Sequence, residues 1–555
     1  MTSTKTTPSG EPQANAPRSL TATRSYLLLP MRSGAPRREV TVSVDGKVVY
    51  RLQAELADDA PEWWAPVDLR AFQGKAVSVV AANLPDGSKA LDLIQQTDDL
   101  PQLPNLYQER LRPQFHFSAK QGWLNDPNGM AYYNGQYHLF FQHCPYSWGD
   151  GPKYWGNAVS KDLVHWEEID EALAPDEFGP MWSGSGVVDH HNTSGLGKEN
   201  KVPLVLIYTA AGQPFVQCIA SSTDGRVFTK YSGNPVVKNI TDGNRDPRVF
   251  WYEPTKSWVM TLWVEKDHRN TIHFLTSPNL RDWTLASVSE GGVGDDRFLF
   301  ECPDMFELPL DGNSKTRKWI LTAANGEYAV GTFDGKTFTA ETGKLPGPQG
   351  RGFYAPQTFN EEPKHRRIQI GWFQTTTPGM PFNQSMSLPM ELKLISTTQG
   401  PRMTWTPIKE LESLRAKSHK KGSFTLKPGD TNPLADASGE LLEVRADFEP
   451  GASGETTFQV RGVPVVYDAG KQEISVNGHH APAPLHNGKQ NITIYVDRTG
   501  LEVFTANGLT FVPMPINLNP ENKSLAVTAT GTPTKFRQLE VHELKSAWPA
   551  LSPAK

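Results

Sequence analysis

Five apolar, β-rich strings recur through the middle of this 555-residue chain, and a short polar motif precedes each. The strings are Tyr137-His138-Leu139-Phe140-Phe141, Leu204-Val205-Leu206-Ile207-Tyr208, Trp258-Val259-Met260-Thr261-Leu262-Trp263, Trp319-Ile320-Leu321-Thr322 and Ile368-Gln369-Ile370-Gly371-Trp372. Their motifs are Asn125-Asp126-Pro127, Trp182-Ser183-Gly184-Ser185, Arg245-Asp246-Pro247, Glu301-Cys302-Pro303 and Tyr354-Ala355-Pro356-Gln357. Such runs are too short for helices and rich in β-branched and aromatic residues, so they read as buried strands. A repeat whose every strand group opens on a polar motif predicts a β-propeller, because innermost strands there converge on one channel. The count predicts five blades over residues 107–405. A large sandwich is the alternative, but it gives no reason for a motif before every repeat.

From about Ser413 the pattern changes to shorter alternating strands such as Ile492-Thr493-Ile494-Tyr495-Val496 and Leu501-Glu502-Val503-Phe504, with Asp497-Arg498-Thr499-Gly500 as the turn between them. This predicts a β-sandwich over residues 413–548. Near the other end, Val40-Thr41-Val42-Ser43-Val44 and Lys47-Val48-Val49-Tyr50 flank Asp45-Gly46, a hairpin signal. A small β module over residues 20–100 is expected, with Pro101–Pro113 as its linker. Residues 1–19 are rich in Ser, Thr, Pro and Ala without an apolar core segment, and read as a disordered tail with no signal peptide visible. The expected fold class is therefore all-β.

Composition narrows the function. A formal charge of −5 and a pI near 6.3 leave no basic field for nucleic acid, so a neutral or small ligand is the better expectation. Mean hydropathy is −0.48, and no apolar run approaches the roughly 18 residues of a membrane span. Three scattered cysteines, Cys144, Cys218 and Cys302, make no disulfide framework. The runs Asp189-His190-His191-Asn192 and His479-His480 lack metal-ligand spacing and read as solvated loops. No metal or cofactor is expected.

Three of the motifs place a carboxylate on a segment stiffened by Pro or Gly: Asp126, Asp246 and Glu301. Two carboxylates flanking a glycosidic bond suffice for sugar hydrolysis, one as nucleophile and one as proton donor, and a third can grip the ring. The chemistry points to a glycosidase.

Taken together, Trp123-Leu124-Asn125-Asp126-Pro127-Asn128-Gly129, Arg245-Asp246-Pro247 and Glu301-Cys302-Pro303, in this order, resemble glycoside hydrolase family 32, the invertase, inulinase and levanase group. Phe140-Phe141-Gln142, Tyr154-Trp155-Gly156-Asn157, Trp182-Ser183-Gly184-Ser185 and Phe353-Tyr354-Ala355-Pro356-Gln357 extend the resemblance, which runs from about Leu106 to the end. The stretch Trp63-Trp64-Ala65-Pro66-Val67-Asp68-Leu69 is similar to an extra N-terminal module of bacterial fructan β-fructosidases. The resemblance implies a five-bladed propeller followed by a sandwich, and retaining hydrolysis with Asp126 as nucleophile, Glu301 as acid/base and Asp246 as transition-state stabiliser. It implies that Asn125, Gln142, Trp155, Trp182, Ser183, Arg245 and Tyr354 contact the sugar. Trp182 departs from the Phe common before Ser-Gly-Ser, a change that bears on the pocket rim. The implied substrates are fructans or sucrose and the implied site of action is extracellular or periplasmic. A dedicated invertase, an endo-acting enzyme and a fructan-binding protein without activity are the alternatives, and the oligomeric state is left open.

Overall fold

In each repeat the polar motif builds or abuts the first strand and the apolar string builds the second. A computed structural model describes residues 16–99, 105–241, 243–293 and 298–549. Among them, helix is confined to 3-10 turns such as Arg70–Phe72 and Lys409–Leu414; the rest is strand and loop. The chain is an all-β protein.

The first repeat shows why these residues form strands. Gly122–Tyr133 pairs with Gln136–Cys144, which pairs with Tyr154–Ser160 and then Trp166–Leu173, all antiparallel. Asn134 and Gly135 make the first turn with φ of 48° and 80°, the left-handed pair that a two-residue hairpin demands. The same four-strand plan continues from Met181–Val188 to Thr229–Lys230, from Arg245–Tyr252 to Thr284–Val293, and from Asp304–Leu310 to Phe338–Ala340. Phe353–Thr358, Arg367–Phe373, Met390–Thr397 and Gly400–Pro407 form the last group, joined to the preceding one by the parallel pair Leu310 and Leu394.

Neighbouring groups stack face to face. Phe140 and Trp155 of the first group share a buried cluster with Leu206 and Tyr208 of the second, and Val187 and Ile207 of the second share one with Val249 and Met260 of the third. Successive apolar interfaces around a common axis are propeller packing. The axis itself is polar. Ser185 Oγ donates to Pro247 O (2.9 Å) and accepts from Val249 N (2.9 Å), Arg248 pairs with Asp304 at 2.8 Å, and Asp304 Oδ2 accepts from Thr358 N at 2.7 Å. First strands also approach closely: a Cβ on Gly186 would stand 2.5 Å from Gly129 O, so only Gly fits there. The ring closes where Phe382–Asn383 lies parallel to Gly122 and Trp123, with Gly122 N donating to Pro381 O at 2.8 Å.

Two further β units flank the propeller. Sheets of seven and five strands enclose one apolar cluster in the C-terminal region, a sandwich. It meets the propeller at His116, whose Nδ1 lies 2.9 Å from Asp497 and whose Nε2 lies 3.3 Å from Glu502, all three fully buried. Asp497 also accepts from Gln114, Phe115 and His116 backbone N–H groups. At the N-terminal side, sheets of four and three strands share their own core, and the hairpin Arg37–Val44 and Lys47–Glu55 turns at Asp45 and Gly46 as expected. Most of the tail (residues 1–15), residue 100 at the end of the module and residues 101–104 of the linker lie outside the described residues. Beyond them, Tyr107 stacks on Trp548 with centroids 4.2 Å apart.

Candidate active site

The motif ends of the first strands are irregular in a shared way. Pairing registers shift between Leu124 and Pro127, between Trp182 and Gly184, between Arg245 and Arg248, and between Tyr354 and Gln357. Such bulges re-aim side chains that a regular strand would bury in a sheet face. Four residues here hold left-handed backbone: Asp246 (φ 64°), Glu301 (56°), Cys302 (40°) and Ala355 (47°). Each costs about 1–3 kcal/mol for a residue other than Gly, a strain typical of sites where side-chain direction matters more than stability.

The bulges bring three carboxylates together around Cys302. Its backbone N–H donates to Asp246 Oδ2 at 3.0 Å, and its Sγ lies 3.5 Å from Asp246 Oδ2 and 3.7 Å from Asp126 Oδ2. Glu301 is the preceding residue. Its Oε1 accepts from Arg245 Nε (3.0 Å) and Nη2 (2.6 Å), and its Oε2 accepts from the Tyr354 hydroxyl at 2.6 Å. Arg245 in turn lies against aromatic rings, with its guanidinium carbon 4.0 Å from the Trp263 centroid and 5.6 Å from Trp182. A cation so packed cannot swing away, so the charge beside Glu301 is fixed in place.

Asp126 is held from the other side. Ser183 Oγ donates to its Oδ2 at 2.6 Å and Asn125 Nδ2 to its Oδ1 at 3.1 Å; Gln142 ties these together, donating to Ser183 Oγ at 2.7 Å and accepting from Asn125. Electrostatics separate the groups. Burial raises the Asp126 carboxyl above its ordinary range, partly opposed by the Ser183 and Asn125 hydrogen bonds. Burial pushes Asp246 to about 7, with Arg245 opposing and Glu301 and Asp126 adding to the rise. The Cys302 thiol is driven well up by burial and then by the carboxylates, so it stays protonated and serves as a donor. Burial and the Glu301 charge likewise keep the Tyr354 phenol protonated.

Of the residues singled out from the sequence, Asp126, Asp246, Glu301, Arg245, Asn125, Gln142, Ser183 and Tyr354 form this one network. Trp182 borders it through Arg245. Trp155 lies beside this network, in the packing between the first two strand groups. It is 0% exposed, packed with Phe140 and Tyr208, and its Nε1 donates to Trp182 O at 3.0 Å. Ser183, also 0% exposed, stands behind Asp126 and not at the open surface.

Other members escaped the sequence. Trp123 Nε1 donates to Asn125 Oδ1 at 3.1 Å, and its ring meets Trp372 edge-on at 6.0 Å. Trp372 also meets Tyr354 at 6.4 Å and donates to Gln384 Oε1 at 3.1 Å. Trp123 sat inside a quoted motif and Trp372 ended a strand string, so both were visible only as strand residues; Gln384 carried no signal. A cavity of about 640 Å³ opens at the far ends of these strands, lined by Trp251, Tyr252 and Trp319, but no motif carboxylate reaches it.

A propeller channel in which carboxylates converge, one of them clamped by a fixed cation, is the equipment of an enzyme that cleaves bonds between sugars. The chain is a glycosidase. Residues 116–407 match the glycosyl hydrolases family 32 N-terminal domain, and residues 410–543 the family 32 C-terminal domain. The chain belongs to glycosyl hydrolase family 32. It is similar to a levanase of Bacillus subtilis, 40% identical over 488 residues that cover 80% of this chain and 72% of that protein. It is also similar to an extracellular exo-inulinase of Aspergillus ficuum, 32% identical over 531 residues, 80% of this chain and 96% of that one. Among solved structures, an exo-inulinase from Aspergillus awamori superposes with a TM-score of 0.71 at 30% identity, over 80% of this chain and 100% of that chain. A β-fructofuranosidase from Schwanniomyces occidentalis complexed with fructosyl-erythritol superposes with a TM-score of 0.71 at 25% identity, over 81% and 100%.

Proposed function

We propose that this protein removes terminal fructose from β-fructans such as levan or inulin, and also cleaves sucrose, by double displacement. The observation that carries the reading is the meeting of Asp126, Asp246 and Glu301 around Cys302, with Arg245 and Tyr354 on Glu301. Family membership and the levanase and exo-inulinase likenesses support the substrate class.

Asp126 attacks the anomeric carbon of the terminal fructose. Its oxygens are already oriented by Ser183 and Asn125, so little reorganisation precedes attack. Glu301 protonates the departing oxygen, then takes a proton from the water that releases fructose from Asp126. Tyr354 and Arg245 hold the two Glu301 oxygens and set its direction. Asp246 accepts hydrogen bonds from ring hydroxyls, which strengthen as positive charge grows on the sugar. Nucleophile and acid/base in a retaining pair stand about 5–5.5 Å apart, leaving no room for a water between them.

End attack is part of the proposal: Asn125, Asp246 and Arg245 would meet a terminal fructose at the base of the propeller channel, where a continuing chain has no exit. Chromatography of early products from levan, inulin and sucrose tests the reading. Fructose alone is expected from the polymers, and a ladder of oligosaccharides would overturn end attack. NMR of the first-formed anomer tests double displacement, and inversion would overturn it.

A further inference from the structure

The cavity of about 640 Å³ at the far ends of the first strands plays no part in the proposed hydrolysis, yet its size is that of a small-molecule site. Its walls are aromatic. Trp251, Tyr252 and Trp319 are partly buried there, and the buried Phe306 and Phe359 line it too. The Tyr252 and Trp319 centroids stand 6.0 Å apart, and Trp251 is fixed by donating from Nε1 to Glu253 Oε2 at 2.6 Å. Rings already held in place take an apolar body with little ordering cost.

One side chain of this lining lacks a counter-charge. The Arg367 guanidinium carbon lies 5.2 Å from the Phe306 centroid, and Nη1 donates to Phe359 O at 3.2 Å and to Thr358 Oγ1 at 3.4 Å. Among the described residues, Nε and Nη2 have no hydrogen bond and no carboxylate stands within 4.0 Å of them. Burial, and then the neighbouring Arg248, pull the guanidinium down to about 10, so it stays charged at neutral pH.

The carboxylates of the lining are already engaged. Glu307 accepts from Arg317 Nε at 2.6 Å, Glu362 from Arg366 Nη2 at 2.9 Å, and Glu361 faces His190 at 3.0 Å. Glu361 and Glu253 are also exposed, where water and salt screen them. The charge left over inside is positive. The Nε and Nη2 edge of an arginine is the fork that takes an oxyanion side-on through two parallel hydrogen bonds.

We propose that this cavity is a second binding site, separate from the catalytic carboxylates, for a small organic carboxylate. Its oxygens lie on Arg367 Nε and Nη2, and its apolar body lies against Trp251 and Trp319.

Benzoate is the probe, with benzamide as its neutral counterpart and inorganic phosphate as an oxyanion without a ring. Calorimetric titration of the full chain is expected to give benzoate a Kd on the order of 1 mM, with benzamide and phosphate each at least about tenfold weaker. Arg367→Gln should weaken benzoate about tenfold, and Asp126→Ala should leave its binding unchanged. Crystals soaked in 4-bromobenzoate locate the ligand without any variant, and the anomalous bromine peak is expected beside Trp251 and Trp319. No binding of benzoate, equal binding of benzamide or phosphate, unweakened binding to a folded Arg367→Gln, or a bromine peak outside this cavity would overturn the proposal. If Arg367→Gln fails to fold, the benzamide comparison and the bromine position decide it.

Discussion

Asp246 shows how much this site gives up in stability. An acid whose folded carboxyl titrates near 7, against a usual value below 4, ionises first in the unfolded chain, so its contribution to stability falls as pH rises between those values. Asp246→Asn is therefore expected to abolish activity yet raise Tm at pH 7 and above, by a free-energy gain on the order of 1 kcal/mol, with the gain shrinking toward pH 4. Thermal melts across that range decide it; a variant less stable at pH 7 contradicts it. Asp126 gives a second sign. The buried Lys153 lowers its carboxyl while burial raises it more, so Lys153→Met should move the acid limb of kcat/KM to higher pH. An unmoved limb rules this out. The proposed roles also separate by substrate: Asp126→Ala should cost several orders of magnitude on any fructoside, whereas Glu301→Ala should lose far less when the leaving group needs no protonation, as rates on aryl fructosides would show.

At the scale of elements, the first strands have two tasks that conflict: to cross-link the axis and to break regularity at one end. Ser185 serves the first, with one hydroxyl satisfying Val249 N and Pro247 O inside the channel. Ser185→Ala leaves both without a partner and is expected to cost about 1–3 kcal/mol, read as a lower denaturation midpoint. An unchanged midpoint would mean that water replaces the hydroxyl. The same strands explain what was legible from the sequence. The apolar strings and the Pro- and Gly-bearing motifs gave the repeat and the carboxylates, because periodicity and turn chemistry are local. The bulges at Leu124–Pro127 and Trp182–Gly184 depend on pairing with a neighbouring strand and leave no local mark. Trp372 and Gln384 reach the site only because the last group folds back beside the first.

For the whole molecule, the joint between propeller and sandwich carries a charge that pH can remove. Burial opposes protonation of His116, but Asp497 and Glu502 outweigh it and push its pKa to about 9. A histidine raised in this way stabilises the fold fully below its unfolded value near 6.5, and that contribution is lost as pH rises through about 9. Tm should therefore fall between pH 7 and 10 in the parent and fall less in His116→Gln, and parallel curves would refute the assignment.

The ring closure has a consequence in time. On their outer edge, away from the neighbouring hairpin strand, Gly122 and Trp123 gain backbone partners from residues 381–383, some 260 positions later in synthesis, so a ribosome must deliver nearly the whole propeller before the strand bearing Asp126 is locked on both sides. A nascent chain halted before Phe382 holds most of its blades and yet no finished catalytic centre, and the appearance of activity during refolding marks the moment when the circle is complete.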